Sequence, residues 1–271
     1  MGLQTGNRAG VATLLGDISM SLLRPGTWLR LGIRDVVLQY SRAGLGVAWS
    51  LLNVVVWVVV VTVFLGPSLS QDEPFYLTYV ATGVVVFNFM SGILGGGTSV
   101  LVRLKGALLN LPLPLFACAL RHVTQTFFHL VIQSIVIIAA MMIDGVPVTI
   151  LVWLIVPAIA ALVLVAVFVT SGLMVLGARY GDLAFLIQSV MRVMLFATPV
   201  FWYAGRIEGS LRYTLSMWNP LAHVLEVVRA PMLGEVPDVI SIYVVVGLMA
   251  ASALLGGGLF VVMRSRVRRW L

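Results

Sequence analysis

Arg192 is an ionisable side chain inside a long apolar stretch, residues 183–203. On a helix it would lie roughly 15 Å into that stretch, at about 1.5 Å per residue. A charge at this depth in an apolar segment usually faces a polar cavity or a partner group. Two interpretations stay open: a cavity-lining group that contacts an anionic or hydroxyl-rich ligand, or a hydrogen bond to backbone carbonyls or to the nearby polar side chains Gln188, Ser189 and Thr198.

His223 and Glu226 are three residues apart, so they share one face of a helix. A histidine and a carboxylate in this arrangement are two of the ligands that a metal site needs. The simpler interpretation is that Glu226 makes local polar pairs with His223 and Arg229 at helical spacing. We favour the local pairs over the metal site.

The same residues belong to the longest polar connection, 204–238, which contains the string NPLAHVLEVVRAP. Asn219 is placed to cap a helix, Pro220 suits its first turn, and Pro231 predicts its end. We expect a short external helix that dips toward the membrane without crossing it.

Motifs for nucleotide binding or catalysis are missing from the sequence. There is no Gly-x-x-x-x-Gly-Lys-Ser/Thr loop, and GGGTSV at residues 95–100 lacks the lysine and better suits close helix packing. His122 and His129 have no carboxylate at useful spacing, and we interpret them as polar packing groups. No nucleophile with a base and an orienting partner can be assembled, so ATP, if used, must bind to another chain.

The composition indicates an integral membrane protein. Of 271 residues, 61% are hydrophobic and 10% are charged, against roughly 25% charged in ordinary soluble domains. The formal charge of +7 does not indicate nucleic-acid binding, because the basic residues lie at the edges of apolar runs. The single cysteine, Cys118, excludes an intramolecular disulfide. No signal peptide is visible, so we expect an uncleaved first span.

Six stretches approach or exceed the roughly 20 residues that cross a bilayer core. They are residues 43–71, 74–102, 122–143, 145–178, 183–203 and 239–263. The predicted fold is therefore an all-α membrane protein with six transmembrane helices. Lys and Arg are concentrated at the ends of the spans on one side, which predicts that this side, with both termini, is cytoplasmic.

An amphipathic helix is predicted over residues 27–42, immediately before the first span. It follows an N-terminal segment of residues 1–26 and precedes the membrane-spanning domain of residues 43–271. Its apolar face holds Leu29, Ile33, Val36 and Tyr40, and its polar face holds Arg30, Arg34 and Ser41. Either it lies flat at the interface with its arginines toward lipid phosphates or a partner, or it is a simple juxtamembrane anchor.

A loop and a set of aromatic residues are further candidates for functional roles. The loop at residues 103–116, RLKGALLNLPLPLF, is too apolar for a plain linker, and Pro112 and Pro114 break any helix there. The aromatic residues of the spans fit either an interfacial belt or a surface that stacks on sugar rings; they include Trp57, Phe64, Phe196, Phe201, Trp202 and Tyr203.

Four motifs in the same order and topology resemble those of type-2 ABC exporter permeases. RDVVLQYSRAGLGVAW at residues 34–49 is similar to the start of that family's first span, and GARYGDLAFLIQSV at 177–190 to its turn before span five. FATPVFW at 196–202 and NPLAHVLEVVRAPMLG at 219–234 are similar to its later motifs. The match extends from about Trp28 onward and is most similar to the polysaccharide branch, which exports O-antigen, capsule, galactan and teichoic acid. Gln39, Ala43, Leu130 and Arg192 depart from the pattern.

The resemblance implies a transport subunit of the bacterial inner membrane that is not itself an enzyme and holds no cofactor. Two copies would pair with two nucleotide-binding ATPase subunits, which bind ATP and Mg. The cargo would be a glycan on an undecaprenyl-pyrophosphate-type lipid. Substrate-path candidates are Arg34, Arg42, Trp57, Phe64, Arg192, Phe196, Phe201, Trp202 and Tyr203. ATPase-coupling candidates are Arg103, Lys105, Asn110 and Pro112, and the external gate would contain Asn219, Pro220, His223, Glu226 and Arg229.

Two rival functions fit parts of the same sequence. A type-2 ABC exporter of a drug or small lipid would use the same fold. A channel or secondary carrier that needs no ATP would be expected to place acidic residues inside its spans, and none is visible there. Co-purification of an ATPase separates that carrier from the other two.

Overall fold

The computed structural model describes residues 16, 19–21, 23, 25–41, 43–69, 74–110, 114–203 and 211–270. These residues are largely helical and contain no strand, which confirms the predicted all-α class. Five of the helices are long and apolar enough to cross a membrane: α2 (Ala48–Leu65), α3 (Tyr76–Gly97), α6 (Leu115–Asp144), α7 (Ile150–Arg179) and α11 (Val239–Arg266). The shorter helices are α1 (Pro25–Tyr40), α4 (Val100–Arg103), α5 (Lys105–Asn110), α8 (Leu183–Ala197), α9 (Leu211–Trp218), α10 (Pro220–Met232) and α12 (Val267–Trp270).

The fifth predicted span is shorter than the sequence indicated. Helix α8 has 15 residues, or about 22 Å at 1.5 Å per residue, whereas the hydrocarbon core is about 30 Å thick. The prediction of one continuous apolar span through Tyr203 is wrong at its end, because the residue before a proline avoids helical geometry. Thr198, which precedes Pro199, is extended at φ −93° and ψ 141°.

Helix α3 is the centre of the bundle. Its apolar window is 72% buried, while the corresponding windows of the other four long helices are 17–22% buried. It contacts α2, α6, α7, α8 and α10. At its first turn the backbone N–H and hydroxyl of Thr78 donate to Asp144 Oδ2, at 2.7 and 2.8 Å, which fixes α3 beside the end of α6. The outer helices therefore keep broad apolar faces for lipid or for another protein.

Glycines allow the closest helix contacts. A Cβ added at Gly172 of α7 would lie 2.7 Å from the Cα of Gly256, in the π-helical turn of α11. A Cβ added at Gly96 would lie 2.7 Å from Cε1 of the His122 ring. Small residues of this kind let membrane helices approach each other. The interpretation of the GGGTSV string as a packing element is confirmed at Gly96.

The amphipathic helix α1 packs along α6. Gly32 and Val36 are buried in that contact, and a Cβ at Gly32 would lie 2.8 Å from the carbonyl oxygen of Arg121. Asp35 accepts two hydrogen bonds of 2.6 Å from the Arg121 guanidinium. The buried face is therefore centred on Gly32 and Val36, while Leu29, assigned to the apolar face, is 43% exposed.

Candidate functional site

A cavity of about 310 Å³ opens between α2, α3 and α8. Its walls combine aromatic rings with amide, hydroxyl and guanidinium groups. The aromatic lining comes from Trp57, Phe87 and Phe201, and the polar lining from Asn88, Ser91, Gln188 and Arg192. These residues come from α2, α3, α8 and the chain just after α8, and α8 begins more than eighty residues after α3 ends, so only the folded bundle brings them together.

Arg192 lies on the exposed wall of this cavity. The side chain makes no hydrogen bond or ion pair with any residue that the structure describes. In particular, Thr198 uses its hydroxyl to accept from Asn219 Nδ2 at 2.8 Å. The alternative interpretation, a hydrogen bond to Gln188, Ser189, Thr198 or a backbone carbonyl, is therefore not supported within the described part of the chain.

Some of the aromatic candidates lie at the cavity and others lie away from it. The rings of Trp57 and Phe201 are nearly parallel, with centroids 6.5 Å apart, and both line the cavity. Phe196 contacts Phe201 edge-on at 6.2 Å. Phe64, by contrast, is 74% exposed and lies outside the cavity lining. Tyr203 packs on Tyr79, with ring centroids 3.9 Å apart.

Residues 198–203, here called the open segment, leave the helix at the mouth of the cavity. Buried backbone carbonyls need hydrogen-bond donors, and here side chains supply them. Arg229 Nη1 donates to Pro199 O at 2.8 Å, and the Tyr79 hydroxyl contacts the Pro199 and Trp202 carbonyls at 3.1 and 2.9 Å. The Tyr76 hydroxyl donates to Phe201 O at 2.9 Å. The open segment therefore has a fixed shape without being helical.

Asn219 joins α10 to the open segment. Its Oδ1 accepts from the backbone N–H of Leu221 at 3.0 Å, which confirms it as the N-cap, and Pro220 occupies the first turn. Its Nδ2 donates to the Thr198 hydroxyl. The prediction that Pro231 ends the helix is wrong: α10 continues to Met232, because a proline removes one backbone hydrogen bond without preventing the next residue from remaining helical.

His223 is a structural residue on α10. It lies 2.9 Å from the Ser241 hydroxyl through Nδ1 and 2.9 Å from Met217 O through Nε2. A carbonyl only accepts, so Nε2–H donates to Met217 and Nδ1 accepts from Ser241. His223 therefore ties α10 to the start of α11 and to the end of α9. No group of three potential metal ligands occurs within the described residues.

The predicted local pairs of Glu226 with His223 and Arg229 are wrong. Arg229 is 2% exposed and turns instead to the open segment and to the ring of Tyr79. Among the described residues Glu226 has no hydrogen-bond or ion-pair partner. Burial raises the pKa of the Glu226 carboxyl, and the nearby positive charge of Arg229 opposes that increase only in part.

Of the remaining candidates, the structure describes Arg34, Lys105 and Arg103. Arg34 is exposed on α1, and Lys105 is exposed at the start of α5. Arg103 faces a second cavity beside His122. Arg42, Pro112 and the side chain of Asn110 lie outside the described part of the chain.

Several residues of the site were missed from the sequence. Tyr76 and Tyr79 hold the open segment, and Asn88 lines the cavity. Their common signal is a polar group inside an apolar span, which usually faces protein or water and not lipid. Arg192 shows the same signal.

Comparison with known proteins identifies the family of this chain. No curated protein sequence matches the chain. The family model described as ABC-2 type transporter matches residues 28–233, most of the 271 residues. This family implies a membrane transport subunit, a dimeric assembly and a partner ATPase. The chain therefore belongs to the ABC-2 type transporter family, as one of its multi-pass membrane subunits.

Proposed function

We propose that this subunit exports a lipid-linked polysaccharide, of the O-antigen type, from the cytoplasm across a bacterial inner membrane. The observation that carries the proposal is the composition of the α2–α3–α8 cavity. Trp57 and Phe201 present flat aromatic faces, while Asn88, Gln188 and Arg192 present hydrogen-bonding groups. A sugar chain offers both apolar C–H faces and hydroxyl groups, so such a wall suits it without requiring one tight binding site.

Exposed aromatic side chains flank the cavity. Trp57, which lines it, is 50% exposed, and Phe196, which contacts the lining residue Phe201, is 67% exposed. A second copy that faced the same surface would enclose a path between the two α2–α8 walls. The dimeric assembly that the family implies supplies that second copy.

In this proposal the chain has six spans, with α8 and the open segment together serving as the fifth. Helices α9 and α10 form the external gate, and both termini lie in the cytoplasm. The gate would move with the open segment, because Asn219 and Arg229 both bind it. His223 and Glu226 belong to the same gate helix.

The phosphates of the lipid carrier require cationic contacts, and Arg34, Arg42 and Arg192 are our candidates. Guanidinium groups bind phosphate through two parallel hydrogen bonds. Arg34 is exposed on the basic face of α1, and Arg192 is exposed in the cavity.

The energy would come from two ATPase subunits that bind ATP and Mg. The loop with Arg103, Lys105, Asn110 and Pro112 is the proposed coupling element. Of the described members, Arg103 and Lys105 are both exposed, with Lys105 at the start of α5.

Deletion of the gene tests the cargo directly. We expect long lipid-linked glycan to accumulate on the cytoplasmic side and to vanish from the cell surface, and the wild-type gene to reverse both effects. A combined Arg34→Ala, Arg42→Ala and Arg192→Ala variant should fail to restore export. Unchanged surface glycan after deletion would contradict the proposal.

A second candidate function is export of a drug or small lipid. The observation in its favour is the size of the cavity within one protomer, about 310 Å³, which is in the range of pockets for drug-sized ligands. Unchanged surface glycan, together with increased sensitivity of the deletion strain to amphipathic compounds, would support this alternative.

A further inference from the structure

A polar stripe follows one side of helix α6. His122, Gln125, Thr126, His129 and Gln133 recur at spacings of three and four residues, so they share one face. The stripe faces two adjoining cavities, of about 440 and 290 Å³, which have Gln39, Arg103, His122 and Gln125 in common. We call this pair of cavities the basic-end groove. Asn88 lines both this groove and the α2–α3–α8 cavity, but the charged residues of the two differ: Arg192 lines the cavity, and Asp35, Arg103 and Arg121 line the groove.

The inner end of the groove has its hydrogen bonds satisfied within the protein. Gln133 Nε2 donates to the Ser50 hydroxyl at 3.0 Å, and His129 Nδ1 lies 3.2 Å from the same hydroxyl. The ring of Tyr40 packs edge-on against His129. This end is therefore structural, and any ligand would bind nearer the mouth.

A short chain of hydrogen bonds holds Arg103 at the mouth of the groove. His122, which is 7% exposed, is 3.3 Å from Gly92 O through Nε2, so that nitrogen carries the proton. The other ring nitrogen, Nδ1, then accepts from Arg103 Nη2 at 3.5 Å, and the same Nη2 donates to Gly96 O at 3.3 Å. Within the described residues Nε and Nη1 of Arg103 have no partner. Partial burial lowers the pKa of Arg103, although the side chain keeps an exposed surface, and the charge of Asp35 opposes this lowering.

The second guanidinium at the mouth is neutralised. Arg121 donates through Nε and Nη2 to both carboxylate oxygens of Asp35, each at 2.6 Å. The paired Asp35 and Arg121 contribute no net charge, so Arg103, which Asp35 influences without a direct contact, gives the described lining of the groove its net positive charge. Gln39 and Gln125 add neutral hydrogen-bonding groups, and their amides are 3.5 Å apart.

We propose that the basic-end groove binds the phosphate headgroup of a membrane lipid. Guanidinium and amide donors around one net positive charge select an anion with several acceptor oxygens. The stripe belongs to a helix of membrane-spanning length, and Val100 and Leu104 line the same mouth, so the anion should arrive attached to an apolar chain. The inference goes beyond the proposed function, because it requires neither a glycan nor transport.

The test uses the full-length protein in nanodiscs of phosphatidylcholine that contain a small fraction of photoreactive phosphatidylglycerol. After illumination, mass spectrometry locates the labelled peptides. We expect label on the peptides that carry Arg103 and Gln125. Arg103→Gln should reduce that label about tenfold, the usual effect of losing one charge-assisted hydrogen bond. Arg266→Gln removes an exposed arginine that does not line the groove and should leave the label unchanged.

Asp35→Asn provides a test in the opposite direction. It frees the charge of Arg121, so labelling of the groove should increase, provided that a thermal melt shows the variant to be folded. Label that is absent from the groove, or equal in wild type and Arg103→Gln, would overturn the proposal. A decrease in folded Asp35→Asn would overturn it as well.

Competitors distinguish the sources of the phosphate. Displacement of the label by a polyprenyl diphosphate at lower concentration than by phosphatidylglycerol would identify the diphosphate lipid as the preferred occupant. Equal displacement by both would indicate a general site for anionic lipids. Displacement by inorganic diphosphate at similar concentration would show a soluble-anion site and overturn the assignment to a lipid. None of these results depends on whether the protein exports glycan.

Discussion

The guanidinium carbon of Arg229 lies 3.6 Å from the centroid of the Tyr79 ring. The two side chains also converge on one acceptor, because Arg229 Nη1 and the Tyr79 hydroxyl both contact Pro199 O. A cation over an aromatic face is worth about 2 kcal/mol when it is desolvated. One pair of residues therefore joins α3, α10 and the open segment.

Two substitutions of Tyr79 separate its ring from its hydroxyl. Tyr79→Phe keeps the contact with Arg229 and removes the contacts with the Pro199 and Trp202 carbonyls, so we expect a loss of about 1–2 kcal/mol in the free energy of unfolding. Tyr79→Leu removes the ring too and should cost about 2 kcal/mol more. Denaturant titration in detergent measures both. Equal losses in the two variants would show that the ring contributes nothing.

Gly83 leaves the space that Arg229 occupies. A Cβ at Gly83 would lie 2.7 Å from Val200 O and would also meet the Arg229 guanidinium. We expect Gly83→Ala to destabilise the protein by about 1–3 kcal/mol, as overpacking does. Gly247→Ala is the matched control, since no atom lies within 4 Å of its added Cβ, and it should be neutral or slightly stabilising.

The coupling between Gly83 and Arg229 can be measured with a double-mutant cycle. Because the clash involves the Arg229 side chain, Gly83→Ala should cost less in an Arg229→Gln background than in wild type. Neighbouring residues typically show such coupling at about 0.5–3 kcal/mol. Strictly additive changes in the free energy of unfolding would show that the added methyl group clashes with Val200 and not with Arg229.

Arg192 should matter for transport and not for folding. Since it is exposed and bonds to none of the described residues, Arg192→Gln should change the free energy of unfolding by no more than about 0.5 kcal/mol. Substrate-stimulated ATPase of the reconstituted transporter should fall, because the cavity loses its cation. A large loss of stability with normal stimulation would assign Arg192 a structural role.

Glu226 should make the stability of the protein depend on pH. A carboxyl group whose pKa is raised on folding is costly when charged, so stability should fall as pH rises from the ordinary Glu value, about 4.3, through the higher value in the folded protein. Glu226→Gln should remove this loss and melt at a higher temperature than wild type at neutral pH. The difference should shrink at lower pH.

The exposed Asp182 provides the control for that experiment, because it is not among the charges that shift the pKa of Glu226. Asp182→Asn also removes one carboxylate from the surface of the protein. It should leave both the melting temperature and its pH dependence close to those of wild type. The same upward shift in both variants would indicate a general effect of net charge.

Much of the fold follows from the sequence because long apolar runs have few alternatives to spanning helices. The five long helices were predicted, and so was the cap at Asn219. The end of α8 was not, because hydropathy continues through Phe201 while Pro199 interrupts the backbone. Hydropathy reports the surroundings of a segment, whereas proline determines its local geometry.

The candidate site was predicted less well because its contacts join distant parts of the chain. Arg229 was assigned to Glu226 from their spacing of three residues, yet its partners are Tyr79 and Pro199. A buried guanidinium binds whichever carbonyls the packing leaves without donors, and the sequence does not show which carbonyls those are. The sequence likewise does not predict the hydrogen bond between Arg103 and His122, because the two residues lie on different helices.

Transport in proteoliposomes tests the central claim most directly. The chain and its partner ATPase would be reconstituted with a lipid-linked glycan on the outer surface, and protection of the glycan from an added glycosidase would be followed after addition of ATP. We predict ATP-dependent protection by transporters oriented with their ATPases outward, and its loss in Arg192→Gln. A transporter that moves a small fluorescent amphiphile under the same conditions and leaves the glycan accessible would contradict the claim.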